Sequence, residues 1–161
     1  GFNAIVGNPP FGGGRKLKES LGETYHSFIA RHLSFDGDGS KNADLCAYFY
    51  LRSYSLLCDK GGFGLIACNT IAEGDTRQTG LEQMAAIGAT IISAHPDMPW
   101  PGTAAVVISP VAVYKSSTKW NGLRLLNQCV VVVFSRQEDR ARASRASASS
   151  PVSLQRSHPA D

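Results

Sequence analysis

The tetrapeptide Asn8-Pro9-Pro10-Phe11 combines residue types that suit chemistry on a poorly reactive nitrogen. The amino group of adenine or cytosine is planar because its lone pair is delocalised into the ring, so it attacks a methyl donor poorly. The Asn8 side-chain oxygen and the Pro9 carbonyl could accept its two N–H groups and stabilise the charge that develops on the nitrogen. Proline rings fix the backbone that aims these acceptors, and Phe11 offers a face for stacking an extruded base. Asn-Pro and Pro-Pro pairs are also ordinary turn formers, so a purely structural interpretation stays open.

The surrounding sequence predicts that this tetrapeptide ends a β-strand. Residues 2–7 are a short apolar run with β-branched side chains, and the two prolines stop it abruptly. Ligands of open α/β sheets bind beyond the carboxyl ends of the strands, which is where the turn is expected. Glycines 12–14 then predict a flexible loop. Helical spacing of apolar side chains follows over residues 21–33, at Tyr25, Phe28, Ile29 and Leu33.

The rest of the chain alternates helices with strands, an α/β layout with parallel pairing in its first part. Asp44 lies where a helix is expected to begin, and Asp75 or Thr76 is expected to cap the next helix, which Gly88 ends. Pro110 indicates an edge position or a bulge in its strand. The predicted helices are residues 43–57 and 76–86, and the predicted strands are residues 63–68, 89–94 and 104–114.

Composition limits the class of protein. The chain has 161 residues, of which 43% are hydrophobic and 18% are charged, with a formal net charge of +3. The charged share is below the roughly 25% of an average soluble domain, which argues against a charged coiled coil or a disordered protein. The length fits one domain, which we place at residues 1–134. Residues 135–161 are rich in Arg, Ser and Ala and are predicted to be a disordered, basic tail.

The sequence gives no sign of a membrane or metal partner. No apolar run approaches the roughly 18 residues of a membrane-spanning helix, and no signal peptide is evident, so we expect a soluble, cytoplasmic protein. Neither the histidines nor the cysteines have metal-ligand spacing, and residues 36–47 lack the glycine and glutamate of a calcium loop. We interpret the cysteines as scattered, small core residues in a reducing compartment, namely Cys46, Cys58, Cys68 and Cys129.

Over about residues 1–115 the sequence resembles the amino-group DNA methyltransferases that use S-adenosyl-L-methionine and carry the motif (N/D/S)PP(Y/F/W). The NPPF form is most similar to the adenine-N6 subgroup, and further blocks resemble the methyltransferase region of bifunctional type II restriction-modification enzymes. The resemblance implies that the chain forms part of a class I, Rossmann-like methyltransferase sheet, namely the C-terminal half of that sheet. It also implies methyl transfer to a flipped-out adenine of double-stranded DNA, in a restriction-modification or related phage-defence system. The blocks are GNPPFGGG, ADLCAYFYLRSYSLL, GLIACNTIAEGDTR and PWPGTAAV.

The resemblance also implies roles for individual residues. Residues 8–11 match the catalytic loop that holds the target base, with Asn8 also beside the cofactor and Phe11 stacking on the base. Trp100 matches a second aromatic residue against the base, with a core or interface tryptophan as the alternative. Phe49 is placed to reach the adenine of the cofactor, with an ordinary core position as the alternative. The residues that could contact DNA are Arg15, Lys16, Lys18, Asn69, Thr70 and Arg77.

Neither the cofactor-binding elements nor the target-recognition domain of the family pattern is found in the sequence. The family holds its cofactor mainly with a glycine-rich turn after one strand and an acidic residue after the next, and the target-recognition domain normally follows. We therefore expect a full-length protein with an additional N-terminal cofactor-binding half and a recognition domain, and we expect this chain alone to be an inactive fragment. Two alternatives stay open: a methyltransferase of RNA bases or of a protein glutamine amide, and an inactive nucleic-acid-binding remnant.

Overall fold

A computed structural model describes residues 1–131 apart from residues 36, 38, 119 and 128. Within these residues the chain forms a mixed α/β unit with one seven-stranded sheet. No helix of this part is both long and apolar enough to cross a membrane. The domain boundary at residue 134 and the disordered tail over residues 135–161 lie outside the described residues and stay predictions. The strands are β1 (Phe2–Gly7), β2 (Leu57–Cys68), β3 (Thr90–Ala94), β4 (Met98–Pro99), β5 (Val107–Tyr114), β6 (Arg124–Leu126) and β7 (Cys129–Val131), and the longer helices are α1 (Gly14–Leu33) and α2 (Leu45–Leu56).

The sheet is mixed, and β2 lies inside it next to β1. The strand order is β1-β2-β5-β3-β6-β7, with β4 paired to β5. The expected parallel pairing in the first part is confirmed, because β1 and β2 run parallel with Gly7 opposite Leu65. β2 and β5 are antiparallel. The carboxyl ends of β1 and β2 therefore lie at the same edge of the sheet, where ligands of α/β proteins bind.

The core lies between α2 and the buried face of β2. Phe63, Leu65 and Ala67 are buried on that face, whereas the residues between them are half-buried on the other. Tyr50 of α2 meets Phe63 edge-on with ring centroids 5.2 Å apart, and its hydroxyl donates to the Leu65 carbonyl over 2.8 Å. The apolar run of β2 is therefore explained by one fully covered and one partly covered face.

The buried face of α1 differs from the expected one. His26, Ile29 and Ala30 are buried, whereas Tyr25 and Phe28 are each about half exposed. Residues three and four apart share a face of a helix, so the first three side chains point together into the protein. Tyr25 and Phe28 instead stack on each other outside, with centroids 6.2 Å apart. The polar residue His26 occupies the core position that its helical spacing dictates.

Pro110 lies in the interior of the sheet, so the edge position expected for it is wrong. β5 has β2 on one side and both β3 and β4 on the other. The Pro110 carbonyl accepts the N–H of His95 over 3.0 Å. Residues 95–97, between β3 and β4, face only residues 109–110 of β5. The extra residue lies in this partner segment and not in β5, which pairs regularly with β2 through Pro110. The proline therefore lies where the ladder on its other side is already interrupted.

A continuous helical stretch follows β2 and is called the 74–86 helix below. It consists of α3 (Gly74–Arg77), a wider π turn (Gln78–Glu82) and α4 (Gln83–Ala86). It is preceded by a short 3-10 turn (Asn69–Ala72). Gly88 ends it as expected, with φ at 90°, a left-handed conformation that favours glycine.

Gly14, at the start of α1, packs directly against the backbone of residues 41–42. A side chain there would overlap the Lys41 carbonyl oxygen, whereas nothing lies within 4 Å of where a side chain at Gly13 would begin. We expect Gly14→Ala to lower the free energy of unfolding by about 1–3 kcal/mol because of overpacking. Gly13→Ala is the matched control, with an effect of less than about 0.5 kcal/mol. Urea unfolding followed by circular dichroism measures both, and equal effects would contradict this packing.

Candidate active site

The tetrapeptide of residues 8–11 directly follows Gly7, the last residue of β1. It therefore lies at the carboxyl edge of the sheet. Pro9 is buried, whereas Asn8 and Pro10 are exposed and Phe11 leaves 39% of its surface open. One proline is thus fixed in the protein while the amide and the aromatic ring face outwards.

Gly12 ties the loop to the start of α2. Its carbonyl accepts the N–H of Leu45 over 2.8 Å, and its N–H donates to Asp44 Oδ1 over 3.3 Å. The same Oδ1 accepts the N–H of Cys46 over 3.0 Å, which makes Asp44 the N-cap of α2. Asp44 therefore begins the helix as expected and also holds the loop.

Thr76 does not cap the helix that contains it, and neither does Asp75. That helix begins after Glu73, whose side chain makes no capping hydrogen bond. Thr76 is buried, and its Oγ1 accepts the backbone N–H of Asp44 over 3.0 Å. The expected cap is therefore wrong, because the hydroxyl is already engaged with the start of α2.

An open cavity of about 640 Å³ lies beside the loop. It brings Phe11 together with two of the expected basic residues, Arg15 and Lys16, in the first turn of α1. Within the described residues neither has an ion-pair partner. The residues that line the cavity are Phe11, Gly12, Gly13, Gly14, Arg15, Lys16, Asn42 and Asp44.

The other two basic residues, Lys18 and Arg77, have acidic partners on the surface. Lys18 Nζ lies 2.6 Å from Glu23 Oε2, and Arg77 lies 2.9 Å from Glu82. Hydrogen bonds from Lys18 and Lys41 lower the pKa of Glu23 to about 2. All these side chains are about half exposed, so such pairs contribute little in water and can open to another anion.

The two further aromatic residues are placed differently. Trp100 is half-buried after β4, and its backbone N–H donates to the Val106 carbonyl over 3.0 Å. It lies at the same edge as the loop but three strands away, roughly 14 Å, and does not line the cavity. Phe49 leaves 39% of its surface exposed on α2. The ordinary core position considered for Phe49 is therefore wrong.

Asn69 and Thr70 follow β2 at the same edge, beside a pair of thiols that the sequence did not indicate. Cys68 Sγ lies 2.8 Å from Thr70 Oγ1 and 3.8 Å from Cys46 Sγ. The hydrogen bond from the Cys46 thiol lowers the pKa of Cys68 to about 7, and the bond from Thr70 acts in the same direction. That thiol–thiol bond, together with burial, raises the pKa of Cys46.

This pair changes the interpretation of the cysteines. Scattered core residues were expected, yet Cys46 and Cys68 are in contact and Cys129 is exposed. The spacing of 22 residues carries no signal, because only the packing of α2 on β2 brings them together. Within the described residues, Asp44 joins the pair with ligand atoms all within 4.8 Å. These groups are already engaged in hydrogen bonds with the protein.

We expect Cys68 to react with iodoacetamide at neutral pH, because a lowered pKa populates the thiolate there. The rate should rise with a midpoint near pH 7 and should be lost in Cys68→Ser. Thr70→Val removes one hydrogen bond that favours the thiolate and should move the midpoint upwards. Mass spectrometry of the alkylated peptides gives the rate at each cysteine, and a midpoint near the ordinary value of 9.0 would contradict this geometry.

Comparison with solved structures gives a match in fold. The type IIL restriction-modification enzyme MmeI, solved in complex with DNA, superimposes with a TM-score of 0.59 at 19% identity. The match covers 83% of this chain and 18% of the MmeI chain, so this chain spans less than a fifth of that protein. The expected Rossmann-like α/β fold is therefore confirmed. A search of curated proteins finds no match.

A comparison with protein families gives a match in sequence. The family described as Eco57I restriction-modification methylase matches residues 1–87, which is more than half of the 161 residues. The matched region includes the loop after β1, all of α2 and the 74–86 helix. The resemblance to the methyltransferase region of restriction-modification enzymes is thereby confirmed. The chain belongs to the Eco57I restriction-modification methylase family.

Proposed function

We propose that this chain carries the catalytic loop of a DNA adenine-N6 methyltransferase that uses S-adenosyl-L-methionine. The observation that carries the proposal is the loop after β1, where Asn8 is exposed, Pro9 is buried and Phe11 lines an open cavity. At this strand end the Pro9 carbonyl and the Asn8 amide oxygen would serve as two acceptors for a single amino group. The likeness to the DNA-bound enzyme MmeI supports a DNA substrate.

The reaction requires that the target nitrogen gain a bond to carbon and lose a proton. The Asn8 amide oxygen and the Pro9 carbonyl accept the two N–H groups and stabilise the positive charge on the nitrogen as the bond forms. The proton then leaves to water through the exposed side of the loop. S-adenosyl-L-methionine, when bound, would supply the methyl group from its sulfonium sulfur, which would keep the electron pair of the broken S–C bond and leave as a neutral thioether. Phe11 stacks on the extruded base and holds its edge towards the acceptors.

The residues of this chain fit one side of the cofactor. Phe49 lies one helical turn beyond Leu45, whose N–H binds the loop, and its ring is open to a stacking partner. Phe49 would contact the adenine of the cofactor, and Asn8 would contact its methyl-bearing end. The glycine-rich turn of the family is not found in the sequence. We propose that a cofactor-binding half and a recognition domain complete the enzyme, which acts in the cytoplasm.

The basic residues fit contacts with DNA phosphates that position the duplex without reading its sequence. Arg15 and Lys16 lie at the cavity beside Phe11, so they suit phosphates next to the extruded base. Lys18 and Arg77 would exchange their acidic partners for phosphates further away. Trp100 and the turn at Asn69 and Thr70 lie along the same edge, where the duplex would pass. All of these phosphate contacts are expected to weaken with added salt.

The test is methyl transfer to duplex DNA by the complete enzyme that carries this chain. We expect Asn8→Ala to lower kcat by at least about 100-fold, the usual effect of removing one group that stabilises a developing charge. Cofactor binding should stay largely intact, because Asn8 would touch only the methyl-bearing end of the cofactor. Tritium transfer from labelled S-adenosyl-L-methionine measures kcat, and mass spectrometry of the digested DNA identifies the methylated nucleoside.

Asn3→Ala is the matched control, because Asn3 lies on β1 and is exposed but far from the loop end of the strand. Its kcat should be that of the unsubstituted enzyme. Retained turnover in Asn8→Ala would mean that the nitrogen is activated elsewhere. N4-methylcytosine as product would exclude adenine as the target, and labelled RNA or protein without labelled DNA would favour the alternative substrates.

Phe11 provides a separate test of base extrusion. Phe11→Ala should weaken binding of the extruded base by about 1–3 kcal/mol, whereas Phe11→Tyr should retain most of the stacking. The fluorescence of 2-aminopurine placed at the target position reports unstacking of the base. Equal fluorescence gain with Phe11→Ala and the unsubstituted enzyme would show that Phe11 does not hold the base.

A further inference from the structure

The position of the catalytic loop depends on a contact outside the loop. Pro9 and Pro10 have no N–H, so the loop forms few hydrogen bonds of its own. Gly12 makes both of its backbone hydrogen bonds with Asp44 and Leu45 at the start of α2. Any residue that fixes Asp44 therefore also fixes the base of the loop.

Asp44 lacks the usual partner for its own backbone N–H. In a capping box, the N-cap N–H donates to a Glu or Gln side chain three residues later. In α2 that position is Ala47, which has no acceptor. The Asp44 N–H instead donates to Oγ1 of Thr76, which arrives from the 74–86 helix. Thr76 thus completes the capping box of α2 from another element.

The hydrogen bond between Thr76 and Asp44 lies in the interior of the protein. Thr76 is 6% exposed and Asp44 is 8% exposed, so water does not replace the bond between them. A buried N–H without a partner is costly, so the bond holds Asp44 in its capping conformation. In that conformation Asp44 Oδ1 accepts the N–H of Gly12. The chain of contacts runs from Thr76 through Asp44 to Gly12, one residue after Phe11.

We propose that Thr76 is a positioning residue, which fixes Asp44 and through it the catalytic loop, so that the 74–86 helix sets the placement of the acceptors. The role of Thr76 in turnover rests on the proposed function. Thr76 precedes Arg77, which is exposed and suited to a DNA phosphate. The residue that holds the loop is therefore next to a residue that meets the substrate.

Thr79 offers a matched comparison in the same helix. It is also buried, and its Oγ1 also accepts a backbone N–H over 3.0 Å, but the donor is Ser40. Thr79→Val and Thr76→Val each remove one buried hydroxyl with little change in shape. General loss of stability should affect both variants alike. Only loss of loop positioning should separate them.

In the complete enzyme we expect Thr76→Val to lower kcat about tenfold, the factor that corresponds to one lost hydrogen bond of ordinary strength. KM for DNA and for the cofactor should change by less than about twofold, because the loop acts on the bond-forming step. Thr76→Ser keeps the acceptor and should restore kcat. Thr79→Val should leave kcat unchanged. Equal losses in Thr76→Val and Thr79→Val would overturn the proposal.

Amide hydrogen exchange gives a readout that does not depend on activity. In Thr76→Val, exchange at Asp44 and Gly12 should be about tenfold faster, whereas Thr79→Val should affect Ser40 instead. Unchanged exchange at Gly12 would overturn the proposal whether or not the enzyme is active. If the unsubstituted enzyme does not methylate DNA while Gly12 exchange responds to Thr76→Val, the proposed function fails and Thr76 still holds the loop.

Discussion

The two hydrogen bonds between Gly12 and the start of α2 are the contact on which the site depends. A loop that contains two consecutive prolines is stiff, but stiffness does not place it relative to the rest of the protein. The placement comes from the Leu45 N–H, which donates to the Gly12 carbonyl, and from the Asp44 carboxylate, which accepts the Gly12 N–H. β1 fixes one end of the loop and α2 fixes the other, so the exposed Asn8 lies between two anchored points.

The sheet makes this arrangement possible because β1 and β2 are parallel. Parallel strands place their carboxyl ends at one edge, so the loop after β1 and the turn after β2 meet there. The chain must then cross over between them, and α2 is the end of that crossover. The start of α2 therefore lies at the same edge, within reach of Gly12. Burial of Tyr50 against Phe63 holds the helix on the sheet in that register.

Sequence reasoning predicted what depends on local order along the chain. The strand before the prolines, the start of α2 at Asp44 and the end of the 74–86 helix at Gly88 follow from residue types in consecutive positions. It failed where a partner is distant in sequence. Thr76 was expected to cap its own helix because its type fits a cap, but its hydroxyl binds Asp44. The contact of Cys46 with Cys68 has the same origin, since only tertiary packing brings the two residues together.

The arrangement of charge follows from the same packing. Gly22 breaks α1 with φ at 80°, and beyond this kink Glu23 lies where it binds both Lys18 and Lys41. Two of the positive charges near the loop thereby share one carboxylate within the protein. Arg15, one helical turn before Lys18, has no such partner within the described residues and lines the cavity. Arg15 and Lys16, which have no ion-pair partner within the described residues, therefore lie beside Phe11 at the cavity, where they would attract an anionic substrate.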